Sequence, residues 1–279
     1  MIAKPADSCG QKDTLPSHLA ADRALLSTAI AKAGALARQY FQSDTRQWQK
    51  GPGQIVTEAD IAIDRQLHAD LIGQRPEDGW LSEERQDDGS RGRRRRVWVV
   101  DPIDGTRSFA AGVAEFTISV ALLIDGEPMV ASVLNPITSE HFEAVAGGGA
   151  WLNGEPLKPS AHATIDGAAI LASWTEMKKR CWPKFMPEAD FTTIGSLAYK
   201  LALVADGRYS GLISLRSCHD WDIAAAVLIL RESGAWLGDG SGHPIQLNQS
   251  IPRHLGLVAA GGKPLYTALV SRLVTIGSS

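Results

Sequence analysis

Two aspartates three residues apart close an apolar strand in the stretch VWVVDPIDGTRSF, residues 97–109. Carboxylates side by side at the rim of a core repel each other, and one is driven to hold a proton unless something positive is shared between them. Asp101 and Asp104 therefore ask for a proton, an arginine or a metal. Further acids stand at comparable points: Asp60 at a predicted helix start, Glu83 and Glu84 after a short strand, and Asp222 opening another helix. Oxygen ligands in this number, with no His or Cys among them, suit Mg2+ or Mn2+ rather than zinc or copper. Pro102 forces a turn that can bring Asp101, Asp104 and an intervening backbone carbonyl towards one point. Gly105 permits an unusual backbone, and a helix opened by Thr106 would offer free N–H groups to an anion beside the metal. Metal and anion site together describe a phosphate-processing centre.

Each acid alone has a plainer use. Asp60 completes a T-x-x-D capping box with Thr57. Glu83-Glu84 in isolation reads as a solvated loop, and Asp222 behind Trp221 suits the positive end of a helix. A turn motif accounts for one of Asp101 and Asp104, but two carboxylates beside a buried strand end need a counter-charge.

The elements that must position these groups follow from the pattern. Residues 1–16 are patternless and read as a flexible tail. An amphipathic helix is expected over about 18–42, then a Gly-Pro-Gly loop feeding a helix that starts at Thr57. After the strand at 97–100, Asp125-Gly126 and Asn153-Gly154 are turn signals between strand-like runs and predict an antiparallel meander. From about 165 strands and helices alternate: GAAILAS, TEMKKRCW, FTTIG, SLAYKLALVADG, YSGLISL, WDIAAAVLILRESG, HLGLVAAG and PLYTALVSRLVTI. The predicted class is α/β, with an α+β N-terminal half over 17–158 that carries the metal and phosphate site. An α/β C-terminal half over 159–279 completes the site and the substrate pocket.

The 279 residues, 44% hydrophobic and 21% charged with a net charge of -3, fit a soluble globular protein of one large or two ordinary domains. A mildly acidic chain is not built overall to hold nucleic acid or an anionic membrane. The five arginines in 91–96 read as a solvated hairpin tip neutralised by the preceding SEERQDDGS, without the aromatic interleaving of a single-strand binder. Cys9, Cys181 and Cys218 show no CxxC spacing, so neither a disulfide framework nor a zinc site is expected. A reducing cytoplasm fits, with no apolar h-region in MIAKPADSCGQKD and no run long enough to span a bilayer. The histidines lack metal spacing; His219, near Asp222, is a candidate substrate contact, and Cys218 reads as packing. There is no G-x-S-x-G elbow, and GGGAWLNG lies between hairpin strands rather than between a strand and a helix.

VTEAD (56–60), SEE (82–84), DPIDGT (101–106) and WDIAA (221–225) occur in the order and spacing of the inositol monophosphatase superfamily, and the resemblance runs from about 18 to 276. It implies a magnesium-dependent, lithium-sensitive phosphomonoesterase, a homodimer, and the layered α-β-α-β-α fold shared with fructose-1,6-bisphosphatase-like sugar phosphatases. By this resemblance Glu83, Asp101 and the Ile103 carbonyl would hold a first Mg2+, and Asp101, Asp104 and Asp222 a second. Glu83 with Asp60 would hold a third, weaker ion, and Mn2+ is an expected substitute. Gly105 and Thr106 resemble the residues whose N–H groups bind phosphate. The implied chemistry is attack of a metal-activated water on phosphorus, with the base either Glu83 or a Thr106–Asp60 pair.

RVWVVDPIDGTRSF and IGSLAYKLALVADG look most like the branch of 3'(2'),5'-bisphosphate nucleotidases of sulfur assimilation. Arg107 there either meets a second phosphate or faces solvent. Leu215 falls where animal inositol monophosphatases place a glutamate on the inositol hydroxyls, which argues against inositol. Gly195 and Ser196, at a strand-to-helix turn, are expected to contact the sugar or nucleoside alongside Asp222. The small phosphorylated substrate favoured is 3'-phosphoadenosine 5'-phosphate, with inositol, polyol or histidinol phosphates as alternatives. A regulatory or RNA-associated protein on the same fold is the alternative of another class; a pure binding module is free to lose carboxylates, and none is lost.

Overall fold

The computed structural model describes residues 17–43, 45–51, 54–180 and 182–277; the expected tail, Cys9 and Cys181 fall outside them. The first amphipathic run forms α1 (Ser17–Tyr40), with Leu19, Leu26, Ile30, Ala33 and Ala37 buried at helical spacing. The Gly-Pro-Gly region, expected as a loop, is framed by an antiparallel hairpin, β1 (Gln47–Gly51) and β2 (Gln54–Thr57). The sequence hides it because QWQKG has no apolar alternation: its side chains are almost all exposed. Next, α2 (Glu58–Gln74) starts on the predicted capping box, with Thr57 Oγ1 accepting from the Asp60 N–H at 3.4 Å.

The N-terminal half is built on one seven-stranded sheet in sequence order. Its members are β3 (Gly79–Ser82), β4 (Arg96–Asp104), β5 (Thr117–Ile124), β6 (Glu127–Asn135), β7 (Glu140–Val145), β8 (Gly149–Leu152) and β9 (Glu155–Pro156). The β3–β4 pair is parallel and the rest form the expected antiparallel meander. The five-residue α3 (Thr106–Ala110) interrupts it between β4 and β5. Asp125-Gly126 and Asn153-Gly154 both take positive φ, the two-residue turn that suits the twist of a hairpin.

In the second half β10 (Ala169–Ala172) is followed by α4 (Trp174–Arg180), α5 (Trp182–Phe185) and β11 (Asp190–Thr193). Then come α6 (Leu197–Ala205), β12 (Gly211–His219), α7 (Asp220–Ser233), β13 (Trp236–Asp239), β14 (Arg253–Ala260) and α8 (Lys263–Gly277). The strands form one sheet in the order β11-β10-β12-β14-β13. TEMKKRCW lies in α4 and α5, on either side of residue 181, and β13 is an added edge strand.

Alternation along the strands dictates the layers. Trp98, Val100, Ile118, Val120 and Leu122 share a core with α1 and α2. Their neighbours Val97, Val99, Ala121 and Leu123 share another with α6, α7 and Leu212, Leu257 and Ala259 of the second sheet. Ile213, Val258 and Ala260 point the other way, to Leu265 and Leu269 of α8. Both faces of each sheet need helical cover, and the result is the expected α-β-α-β-α stack. Because α6 and α7 pack on both sheets, the two halves share one core.

The arginine run is solvated in part, and one of its members is built into the fold. Residues Ser90–Arg93 form a 3-10 turn. Arg91 is buried, donating to Asp87 Oδ2 at 2.8 Å and Asn248 Oδ1 at 2.5 Å. Arg94 pairs with Glu77, Arg95 with Asp125, and Arg96 with both Asp22 and Asp78. Arg91 alone is buried; Arg93, Arg94 and Arg95 stay exposed, and acidic partners offset most of the run's charge. Among the described residues no helix is long and apolar enough to cross a membrane.

Candidate active site

In a regular strand, residues i and i+3 point to opposite faces. Asp101 pairs with Ser119 and Asp104 with Thr117, so three steps along β4 match two along β5. That bulge inserts one residue and returns both carboxylates to the same side. Pro102, which has no N–H to give a ladder, sits within it. The Ile103 N–H donates to Asp101 Oδ1 at 3.0 Å and fixes the turn. Gly105 then takes φ +98°, and a β-carbon there would stand 2.8 Å from the Glu115 carbonyl oxygen. The site needs glycine at this point.

Asp222 joins from the first turn of α7, where the His219 N–H donates to its Oδ2 at 2.6 Å. One carboxylate oxygen from each of Asp101, Asp104 and Asp222 lies within 4.8 Å of the others. Asp104 accepts from Ser196 Oγ at 2.5 Å and from the Ala198 N–H at 2.6 Å, both on its Oδ2. Burial pushes Asp101 and Asp222 well above the usual carboxylate range, and the neighbouring acids push further. Burial lifts Asp104 too, to about 6, against the pull of Ser196, Ala198 and Lys200. Asp101 Oδ2 is buried with no hydrogen-bond partner. A divalent cation among these oxygens would complete that coordination and neutralise the repulsion, so the donor set fits Mg2+ or Mn2+.

Asp60 serves two ends at once. Its Oδ2 accepts from the Thr57 N–H at 2.7 Å and Thr57 Oγ1 at 2.5 Å, while Thr106 Oγ1 donates to its Oδ1 at 3.2 Å. One carboxylate thus both caps α2 and reaches Thr106 at the cleft. Burial raises Asp60 to about 6. Thr106 Oγ1 also lies 3.1 Å from the Ile103 carbonyl. Glu83 lines the cleft and faces Lys50 Nζ at 3.4 Å. Glu84, also bonded to Lys50, has a buried side chain and is no partner of the three aspartates. Asp60 and Glu83 stand outside the tight group of three carboxylates.

The cleft holds about 790 Å³ and is lined by these acids, by Gly105, Thr106 and Arg107, and by residues of the second half. Gly195 lines it, with its N–H donating to Glu115 Oε2 at 2.9 Å. The expectation for Ser196 needs correction: it is fully buried, caps α6 by accepting from the Tyr199 N–H at 2.9 Å, and faces Asp104 rather than substrate. A Ser one residue before an apolar helix is a cap signal, which accounts for this placement. His219 is half-buried and stacked on Trp221, with ring centroids 4.5 Å apart. Cys218 is buried beside Asp222 and Asp104, and burial pushes its thiol far up, which leaves it inert.

Sequence reasoning missed two cations. Lys200 of α6 is buried yet lines the cleft; burial lowers its pKa against the opposing pull of Asp104 and Glu176. Arg216 of β12 is exposed on the same wall. Leu215 is half-buried and packs against the core cluster of Ile213 and Val258.

Residues 19–277 match the inositol monophosphatase family. The chain is 37% identical over 236 residues to the inositol-1-monophosphatase of Rhizobium meliloti, covering 80% of this chain and 88% of that one. It is 34% identical to the Nus factor SuhB of Escherichia coli K12, covering 80% and 87%. The IMPase of Thermotoga maritima superposes with a TM-score of 0.82 at 26% identity, over 92% of this chain and 98% of that one. None of these three is named a bisphosphate nucleotidase. With a bulge that gathers two aspartates, a third from α7 and a family match along nearly its whole length, the chain belongs to the inositol monophosphatase family of metal-dependent phosphatases.

Proposed function

We propose that the protein hydrolyses a small phosphate monoester whose leaving group carries a second anionic group, with a nucleoside 3',5'-bisphosphate preferred. The observation that carries this reading is the set of cations facing the carboxylates: Arg107, Lys200 and Arg216 line the same cleft as Asp101, Asp104 and Asp222. Lys200 answers Asp104 and Glu176, while the exposed guanidiniums of Arg107 and Arg216 offer a second phosphate charged donors. Leu215 offers inositol hydroxyls nothing, since its side chain has no polar atom.

Mg2+, or Mn2+ in its place, held by Asp101, Asp104, Asp222 and the Ile103 carbonyl with Glu83 alongside, would supply Lewis-acid charge that acidifies water and offsets the leaving oxygen. The chain does the rest. The backbone N–H groups of Gly105 and Thr106 receive the phosphate. The attacking water gives its proton either to Glu83 or through Thr106 Oγ1 to Asp60, whose pKa of about 6 suits a base at neutral pH. The cytoplasmic setting and the homodimer belong to the same proposal.

A second reading is inositol 1-phosphate, favoured by the name of the 37% identical relative. Phosphate release with and without Mg2+ decides between them. The panel is 3'-phosphoadenosine 5'-phosphate, inositol 1-phosphate, fructose 1,6-bisphosphate and histidinol phosphate, compared by kcat/KM. A preference for the nucleotide above about tenfold, ~1.4 kcal/mol in the transition state, supports the reading. A preference for inositol 1-phosphate overturns it and leaves the phosphatase. Absence of Mg2+-dependent release from all four turns attention to a regulatory role like that named for the SuhB relative.

A further inference from the structure

We propose that Trp174 is a stacking platform for a planar aromatic leaving group, so that the cleft selects phosphate esters of nucleosides over those of aliphatic polyols. The inference rests on the substrate reading above and deepens it. Trp174 is 63% exposed, the most exposed aromatic among the described residues, and it lines the same cleft as the three aspartates. Indole area left open to water inside a binding cleft gains most from a flat apolar partner. The cleft's volume of about 790 Å³ leaves room for such a group beyond a phosphate.

The ring is held, not loose. Trp174 begins α4, and the residue before it, Ser173, donates to Glu176 Oε2 at 2.7 Å while accepting from the Glu176 N–H at 3.3 Å. The other oxygen of Glu176 accepts from the Leu215 N–H at 2.6 Å. Glu176 is buried, so one carboxylate ties the residue before Trp174 to the residue before Arg216. The backbone that carries Trp174 is thereby tied to the backbone that carries Arg216. One turn along α4, Lys178 places its Nζ 4.7 Å from the Trp174 ring centroid, a cation–π contact that restrains the ring. An aromatic face and arginines lining one cleft match a molecule that joins a base to a phosphate, and stacking on indole tolerates any base because every base has a π-face.

The test compares substrates that share their phosphates but differ in the base. Wild type, Trp174→Ala and Trp174→Phe are assayed with 3'-phosphoadenosine 5'-phosphate, with ribose 3,5-bisphosphate and with inositol 1-phosphate. Trp174→Ala is expected to lower kcat/KM for the nucleotide about tenfold, mainly through KM, and Trp174→Phe to recover most of it. The two substrates without a base should change by less than about twofold. An equal loss on ribose bisphosphate, or no loss on the nucleotide, overturns the platform while the nucleotide reading stands. Failure of wild type to turn over the nucleotide, with inositol 1-phosphate hydrolysed, overturns both.

Discussion

Asp101 and Asp104 are buried at the end of β4, Asp222 is half-buried at the start of α7, and backbone N–H groups hold each of them. Across the same cleft Arg107, Trp174 and Arg216 are exposed, on a five-residue helix, the first turn of a short helix and a strand that breaks register. The first wall is made by backbone geometry, through a bulge and a helix start that few sequences can form. The second is made by side chains that change without disturbing the fold. Reaction chemistry is therefore fixed where the fold is stiff, and substrate choice is placed where it is free to vary.

Substitutions on the first wall should separate the two most. Asp104→Asn should cut kcat by about 10³-fold or more, since it removes charge from the cation site, ~4 kcal/mol in the barrier. The amide oxygen can still accept from Ser196 and Ala198, so the fold persists. Metal-free Tm should stay level or rise, because burial already disfavours the charge at this position. Near-normal turnover at saturating Mg2+ would sink the carboxylate assignment. Next in size is Ser196→Ala, which leaves all three carboxylates but frees Asp104. Mg2+ affinity, read by calorimetry, should fall about 10- to 100-fold. An unchanged affinity with only a lower Tm would reduce Ser196 to a helix cap.

The smallest effect belongs to the second wall. Arg107→Ala should raise KM for a bisphosphate substrate about tenfold and leave a monophosphate unchanged, because a single exposed guanidinium contributes a charged hydrogen bond and little else. Equal effects on both substrates would remove the distinction between the walls.

The first wall was also the more legible. DPIDGT and WD announce it because the chemistry demands acids at short spacing, and the alternation of VWVV against VALL predicts a sheet covered on both faces. Pro102 announces a turn that brings the two aspartates together; that the turn is a bulge, with one extra residue against β5, shows only in the pairing. Ser196 was visible as a residue near the site, but its direction depends on where Asp104 stands. Lys200 looked like any lysine on an apolar helix, and its burial comes from the packing of α6 between two sheets. The contact of Asp220 Oδ1 with His254 Nε2 at 2.7 Å, beside the site, joins the first residue of α7 to β14, which meet only in the folded protein. Local spacing announces ligands; it does not announce what holds them.

The most direct test is Mg2+ titration of the chelator-treated protein by calorimetry at pH 7.5 and pH 5.0. Asp60 and Asp104 are both raised from 3.8 to about 6 in the folded protein. The metal-free fold therefore has its full stability from these groups below about 3.8 and loses it as pH rises through about 6, where Mg2+ takes over from protons. Binding at pH 7.5 that weakens at least about tenfold at pH 5.0 is the predicted result. Equal affinity at the two pH values, or no binding at either, would contradict a cation centre built on Asp101, Asp104 and Asp222.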